Sequence, residues 1–478
     1  MSASIFQLAI ITILLSSPWA NAQSSQSSQL SSSTSLSSLP PAPSVSFVSV
    51  NPTAVPLSRI GATEPASPTP TLASTPTSGS VPTFLPNAPP LPPLSSIVAS
   101  KYPKLDTIPP IDSPEVQQWI AEVQASGIQI PSFSPTVAGG CPTNPQAATD
   151  PSRCWWTCGG CVRDTDISSC PTKDTWGLTY DDGPAYYTPN LLNYLDEHSL
   201  KSTFFVIGSR AASLPALLQS EYMAEHHISV HTWSHAAPLT TLSNEQIIAE
   251  LGWCKKIIKD VLGVTPNTMR PPYGDIDDRV RAISLAMGLR PIMWTRISPA
   301  ATFDTGDFSI HAGTISAAQV LLNWQYILGN ASTLNTGFIV LEHDLFQQSV
   351  EIATGYILPD ALARTSPKLT LQPVITCLNQ PLGNAYIETN DNTTNPPPVT
   401  IRPSSKCSNL SHATFTTKTY AGVGTGHSSG RPTATGATGN NGNTTGGNQS
   451  GGASSLQSLP DMVIFVLLSL IAGLAVVF

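Results

Sequence analysis

The chain has 478 residues, a formal net charge of −8, and only 11% charged residues. That balance excludes a nucleic-acid binder, which needs a basic face, and gives no long-range steering of anions. A neutral or cationic partner fits it better. In chain order the first feature is an apolar run, IFQLAIITILL at residues 5–15, followed by Ala20, Asn21 and Ala22 in the small-x-small pattern of a cleavage site. Residues 1–22 therefore read as a secretory signal peptide with a mature start near Gln23. Residues 23–100 are dominated by Ser, Thr, Pro and Ala. Such a tract buries too little apolar surface to offset its ordering entropy, so a disordered, O-glycosylated spacer or propeptide is expected.

Residues 101–170 form a leading segment with Cys141, Cys154, Cys158, Cys161 and Cys170, which join Cys254, Cys377 and Cys407 in an even set of eight. In a secreted chain this set reads as disulfides whose pairing the sequence does not fix. The CWWTCGGC cluster lacks the paired CxxC form of a structural zinc site. From 171 to 380, short β-branched or aromatic runs alternate with helical patterns over a length that suits one α/β unit. WGLTY, STFFVIG and TGFIVLEHD read as strands, and PNLLNYLDEHS and SNEQIIAELGWCKKIIKDVLG as helices. The alternation predicts a parallel sheet or barrel.

Residues 381–450 read as a disordered glycosylated linker rich in Gly, Ser and Thr, and sequons mark Asn330, Asn392, Asn409, Asn443 and Asn448. Residues 451–478 end in MVIFVLLSLIAGLAVVF, an uncharged apolar tail behind small residues and a polar spacer. This is the pattern of a glycosylphosphatidylinositol (GPI) attachment signal, with Ser450 as the expected attachment residue and Asn448 as the alternative. The expected address is the cell wall and the outer face of the plasma membrane, with a lipid holding the chain.

Five stretches carry chemistry. In TYDDGP, two carboxylates, Asp181 and Asp182, stand where a strand meets a turn, and α/β folds gather functional side chains at such ends. Successive side chains on extended backbone point apart, so one carboxylate can bind a cation while the other stays free as a base. In SVHTWSH, His231 and His235 share one face if the segment is helical, and a loop can also converge them. Two imidazoles and a carboxylate make the ligand set of a catalytic metal with open positions for water and substrate. The neighbouring pair His226 and His227 reads as ordinary surface. In MRPPYGDIDDRV, Arg270 can orient a carboxylate, and the two prolines fix an extended backbone that aims the Tyr273 N–H at an oxyanion. In MWTRISPAATFDTGDF and FIVLEHDLF, His343 follows an apolar strand as a candidate general acid held by a carboxylate such as Asp304.

These five stretches, in this order, resemble the polysaccharide deacetylases of carbohydrate esterase family 4, the NodB homology domain, and especially its fungal chitin deacetylases. The resemblance covers about residues 171–380. It implies a distorted (β/α) barrel with its site at the carboxyl-end face, flanked by disordered segments. It also implies that Asp181 is the general base and that Asp182, His231 and His235 hold one divalent ion, zinc or cobalt. Arg270 would orient Asp181, the Tyr273 backbone N–H would hold the oxyanion, and His343 would be the acid. Tyr273, Trp294 and Leu341 would contact the substrate, the last two as walls of an acetyl pocket. Asp304 is the expected partner of His343, with Asp307 as the alternative, because TRISPAATF separates both from the tryptophan. The implied activity is hydrolysis of N-acetyl groups in cell-wall chitin to give chitosan and acetate, with chitin or its oligomers as partner. The rivals are a deacetylase or esterase on xylan or peptidoglycan, and a catalytically silent wall protein.

Overall fold

A computed structural model describes residues 49–72 and 75–391. The signal peptide, Cys407, the sequons at Asn392, Asn409, Asn443 and Asn448, and the GPI signal with Ser450 lie outside the described residues. The strands are short and alternate with helices, as the sequence pattern requires. They are β1 (Thr175–Gly177), β2 (Thr179–Asp181), β3 (Thr203–Val206), β4 (His227–Val230), β5 (Thr268–Met269), β6 (Arg290–Pro291), β7 (Arg296–Ser298), β8 (Ala301–Thr302), β9 (Phe338–Ile339) and β10 (Thr370–Gln372). One parallel sheet runs β2-β3-β4-β5-β6 and another β10-β1-β9, while β7 and β8 form an antiparallel pair. Hydrogen bonds at the strand ends join the parallel sheets into a distorted barrel, among them two between backbones. The Thr295 N–H donates to the Ile339 carbonyl at 3.0 Å, and the Asp181 N–H to the Glu342 carbonyl at 3.0 Å.

The interior explains the sequence. All four residues of β3, TFFV, are buried, as expected for a strand covered on both faces. The helix Asn244–Leu262 buries Ile247, Leu251, Cys254, Ile258 and Val261 at helical spacing. Its start is set by a capping box between Ser243 and Gln246, and its end by Gly263 at φ 82°. His226 and His227 correct the surface assignment, since they are 1% and 0% exposed. His226 Nδ1 accepts from the Ser202 N–H, and His227 bonds Thr203 and Thr268 through its two ring nitrogens. Burial pushes both imidazoles down to about 3.

The described part of the tract read as a spacer, residues 49–72 and 75–100, packs on the barrel. Within the tract expected to be disordered, residues 49–100 bury Ile60, Leu85 and Leu91 in the common core. This strap is tied down by polar bonds scattered along it. Asn51 donates to the Thr354 carbonyl at 3.1 Å, Tyr356 to the Val55 carbonyl at 2.9 Å, and Gln348 to the Gly61 carbonyl at 3.0 Å. Contacts between parts distant in sequence leave no local periodicity, so composition alone misreads them. The cysteine-rich segment is likewise pinned to the barrel. Arg281, fully buried, pairs with Asp166 and donates to the carbonyls of Cys154 and Cys161, and Arg163 pairs with Asp278. Among the described residues the disulfides are Cys141–Cys158, Cys154–Cys161 and Cys170–Cys377. Cys254 departs from the all-disulfide expectation: it is a buried free thiol, placed inside the core by its helix.

The strap carries a contact that weakens as pH rises. Glu351 is pushed up to about 8, first by partial burial and then by the hydrogen bond it shares with Glu64 of the strap, with Arg59 opposing. A folded-state value above the ordinary 4.5 means that its stabilising contribution is complete below about pH 4.5 and is lost as pH rises through about 8. Denaturant midpoints measured from pH 5 to 9 should fall more for the parent chain than for Glu351→Gln. Parallel curves would exclude the shared proton.

Candidate active site

The functional side chains all lie at or just past the carboxyl ends of parallel strands. Asp181 ends β2 and Asp182 follows it, His231 follows β4, Arg270 follows β5, and Leu341 and His343 follow β9. The two carboxylates turn to different partners. Asp181 Oδ1 accepts from Arg270 Nη1 at 2.7 Å, and Arg270 is fully buried, with its guanidinium 4.0 Å from the Phe205 ring centre. Asp182, at φ 79°, faces His231 Nε2 at 3.3 Å and His235 Nε2 at 3.5 Å. No Cβ fits on Gly183, because it would strike the Asp344 carboxylate. That close approach, rather than left-handed backbone, explains the glycine after the pair.

The HTWSH segment is a loop and not a helix, with Thr232 and His235 at φ 65° and 52°. His231 Nδ1 lies 2.7 Å from the Arg270 carbonyl and donates to it, which leaves Nε2 free as a ligand atom. Glu250 fixes the loop from behind, accepting from the N–H groups of Trp233 and Ser234 at 2.9 Å each and from the Ser234 hydroxyl. Sequence reading passed over Glu250. Its signal was a carboxylate on the apolar stripe of a long helix, where an unpaired charge is costly.

Asp182, His231 and His235 form a group whose ligand atoms lie within 4.8 Å of one another. The residues fit a divalent ion on three counts. Asp182 Oδ1 is buried without a hydrogen-bond donor. The separations of 3.3 and 3.5 Å match the edge of a tetrahedron with ligand bonds of about 2.0–2.2 Å. Burial pushes His235 down to about 4, while the Asp182 carboxyl, although burial raises it, is held below the usual range by the nearby imidazoles. A carboxylate beside the neutral His235 imidazole suits a metal ligand set.

His343 corrects the expected partner. Its Nδ1 lies 2.7 Å from Asp307 Oδ1, and its backbone N–H donates to Asp307 Oδ2 at 2.8 Å. Asp304 instead accepts from the Gly306 N–H at 2.8 Å and so closes the turn that delivers Asp307. Burial disfavours the imidazolium, yet Asp307, with smaller help from Asp182 and Asp181, pushes His343 up to about 10. Tyr273, at φ 59°, sets its ring 4.6 Å from that of His235 and donates its hydroxyl to the His235 carbonyl.

Trp294 and Leu341 are 6% and 8% exposed, and Trp294 is held by a bond from Nε1 to Thr302. Trp156 of the cysteine-rich segment packs edge-on against Trp294 at 4.5 Å, a contact the sequence did not reveal. Asp275 locks that segment to the RPPYGD loop, accepting from Trp155 Nε1 and the Thr157 hydroxyl on one oxygen and from Thr240 on the other. Asn330, the one described sequon, lies in the last turn of the helix Ala317–Ala331 and donates to the Tyr326 carbonyl.

Residues 168–292 match the family model described as "Polysaccharide deacetylase". Chitin deacetylase 1 of Cryptococcus neoformans var. grubii is 51% identical over 342 residues, covering 71% of each chain. This chain belongs to the polysaccharide deacetylases. A chitin deacetylase of Amylomyces rouxii is 38% identical over 45% of this polysaccharide deacetylase and 55% of its own length. The solved chitin deacetylase of Colletotrichum lindemuthianum is 25% identical, with a TM-score of 0.41, and is matched over 97% of its length and 48% of this chain. As a polysaccharide deacetylase the chain is a hydrolase, and its catalytic apparatus is to be sought among the residues at the barrel mouth.

Proposed function

We propose that this polysaccharide deacetylase hydrolyses the N-acetyl groups of N-acetylglucosamine units in chitin, leaving glucosamine units and acetate. One arrangement carries the reading. Asp181 and His343, whose backbones pair between neighbouring strand ends, are each fixed by a buried partner, Arg270 and Asp307, around the Asp182, His231 and His235 group. The relative that is 51% identical is a chitin deacetylase, which favours chitin over other acetylated glycans.

A divalent ion on that group, zinc or cobalt by donor type, supplies polarisation of the acetyl carbonyl and a more acidic water. Asp181, aimed by Arg270, accepts the proton of the attacking water. The Tyr273 backbone N–H donates to the oxyanion that forms at the acetyl carbon. His343 then gives its proton to the amide nitrogen as the C–N bond breaks, so that a neutral amine leaves and acetate keeps the oxygen of the water. Trp294 and Leu341 keep water from the acetyl methyl.

Acetate release by the full chain decides the reading, with chitin oligomers, acetylated xylan and peptidoglycan compared before and after chelation. Release from chitin oligomers that stops with chelator and returns with zinc or cobalt is expected. Release from xylan or peptidoglycan alone would replace the substrate, and release indifferent to chelator would remove the metal. No release after metal loading would leave a silent wall protein. We further propose that the chain is secreted and held at the plasma membrane and cell wall by a GPI lipid at Ser450. Phosphatidylinositol-specific phospholipase C should then free it from cells.

A further inference from the structure

The two histidines of the metal group are joined by a loop that its own sequence does not hold. Thr232 and His235 both occupy left-handed backbone, which non-glycine residues keep only when their surroundings over-determine it. Most grips on the loop come from the barrel itself. Glu250 takes two of its N–H groups, and the N–H groups of Gly208 and Ser209 donate to the carbonyls of Thr232 and Trp233 at 2.9 Å each. One grip comes from the leading segment. The Trp233 indole N–H donates to the Lys104 carbonyl at 3.1 Å, and the Tyr102 ring lies stacked on Trp233, at 6.2 Å between centres and 12° between planes.

Residues 102–106 are anchored on both sides of that indole. The Tyr102 hydroxyl donates to Asp260 of the helix Asn244–Leu262 at 2.7 Å, and Asp106 accepts from the Ser209 hydroxyl at 2.9 Å in the helix Gly208–Ser213. Trp233 is fully buried and has no room to retreat. A Cβ on Gly208 would meet its Cε3 at 2.7 Å and the backbone of Cys254 at 3.0 Å. Any shift of the indole therefore reaches its Cα, which lies midway between His231 and His235 in sequence.

We propose that residues 102–106 are a brace that positions the metal ligands through Trp233, so that the segment ahead of the barrel is a working part of the metal site. Trp233 and Tyr102 act through His231 and His235 and are positioning residues. The proposal rests on the metal reading of the site, and the experiment separates the two. Zinc is titrated into the full chain and into its Trp233→Phe and Tyr102→Leu variants; the first removes the indole N–H and the second the stacked ring.

The dissociation constant is expected to rise about tenfold in each variant, as for the loss of a support behind a metal ligand. KM for chitin oligomers should stay unchanged, and kcat should recover at saturating zinc. Tyr356→Phe, which cuts the strap's bond to Val55 at another place, should leave zinc affinity as it was. Unchanged zinc affinity in both brace variants overturns the proposal, even if their melting temperatures fall. An equal loss in Tyr356→Phe also overturns it, because the effect would then be general stability. If the parent chain binds no zinc, the metal reading itself fails.

Discussion

Asp181→Asn is expected to lower kcat for acetate release by about 10²–10⁴-fold, the usual worth of a positioned base, while zinc still binds. The structure explains why the two effects separate. Asp181 spends one oxygen on Arg270, whereas the ligand group of Asp182, His231 and His235 is complete without it. Asn is close to Asp in shape and can still accept from Arg270 through its side-chain carbonyl, so the change removes basicity rather than position. Turnover at the parental rate would refute the base assignment. Loss of zinc together with turnover would make Asp181 a ligand instead.

Asp307→Asn is expected to lower kcat by about 10²-fold or more and to pull the alkaline limb of kcat/KM to lower pH. Burial alone drives an imidazole down, as His227 shows at about 3. Against that pressure the Asp307 carboxylate pushes His343 up to about 10. The sign is that of a raised histidine. Its protonated form, which the mechanism uses and which stabilises the fold, is complete below about 6.5 and is lost as pH rises through the folded value. Asp304→Asn should leave the alkaline limb in place, since Asp304 closes a turn. A shifted limb in Asp304→Asn and not in Asp307→Asn would reverse the assignment.

The strand ends were legible because buried parallel strands write themselves as short apolar runs, and STFFVIG and WGLTY are such runs. The helix from Asn244 was legible from its apolar spacing. Asp182, His231 and His235 were legible as residue types, but their convergence depends on a loop whose backbone the histidine spacing does not encode. The choice between Asp304 and Asp307 was not readable, because both lie in one short turn and only the strand register beside Leu341 decides which carboxylate reaches His343. Least legible were the leading segments. Their contacts with the barrel join residues about 100–300 positions apart, as from Tyr102 to Asp260 and from Val55 to Tyr356, and no local pattern reports such pairings.

The Cys170–Cys377 bridge spans 207 positions, and every residue assigned to the chemistry, from Asp181 to His343, lies inside it. Covalently the catalytic barrel is a ring. By the chain-entropy account, closing a ring of that size takes about 5 kcal/mol of freedom from the unfolded chain. The ring also changes what a single proteolytic cut can do. A nick in any loop between the two cysteines opens the ring into a line, and the strands on either side of the cut stay tethered in one molecule until a reductant reaches the bridge.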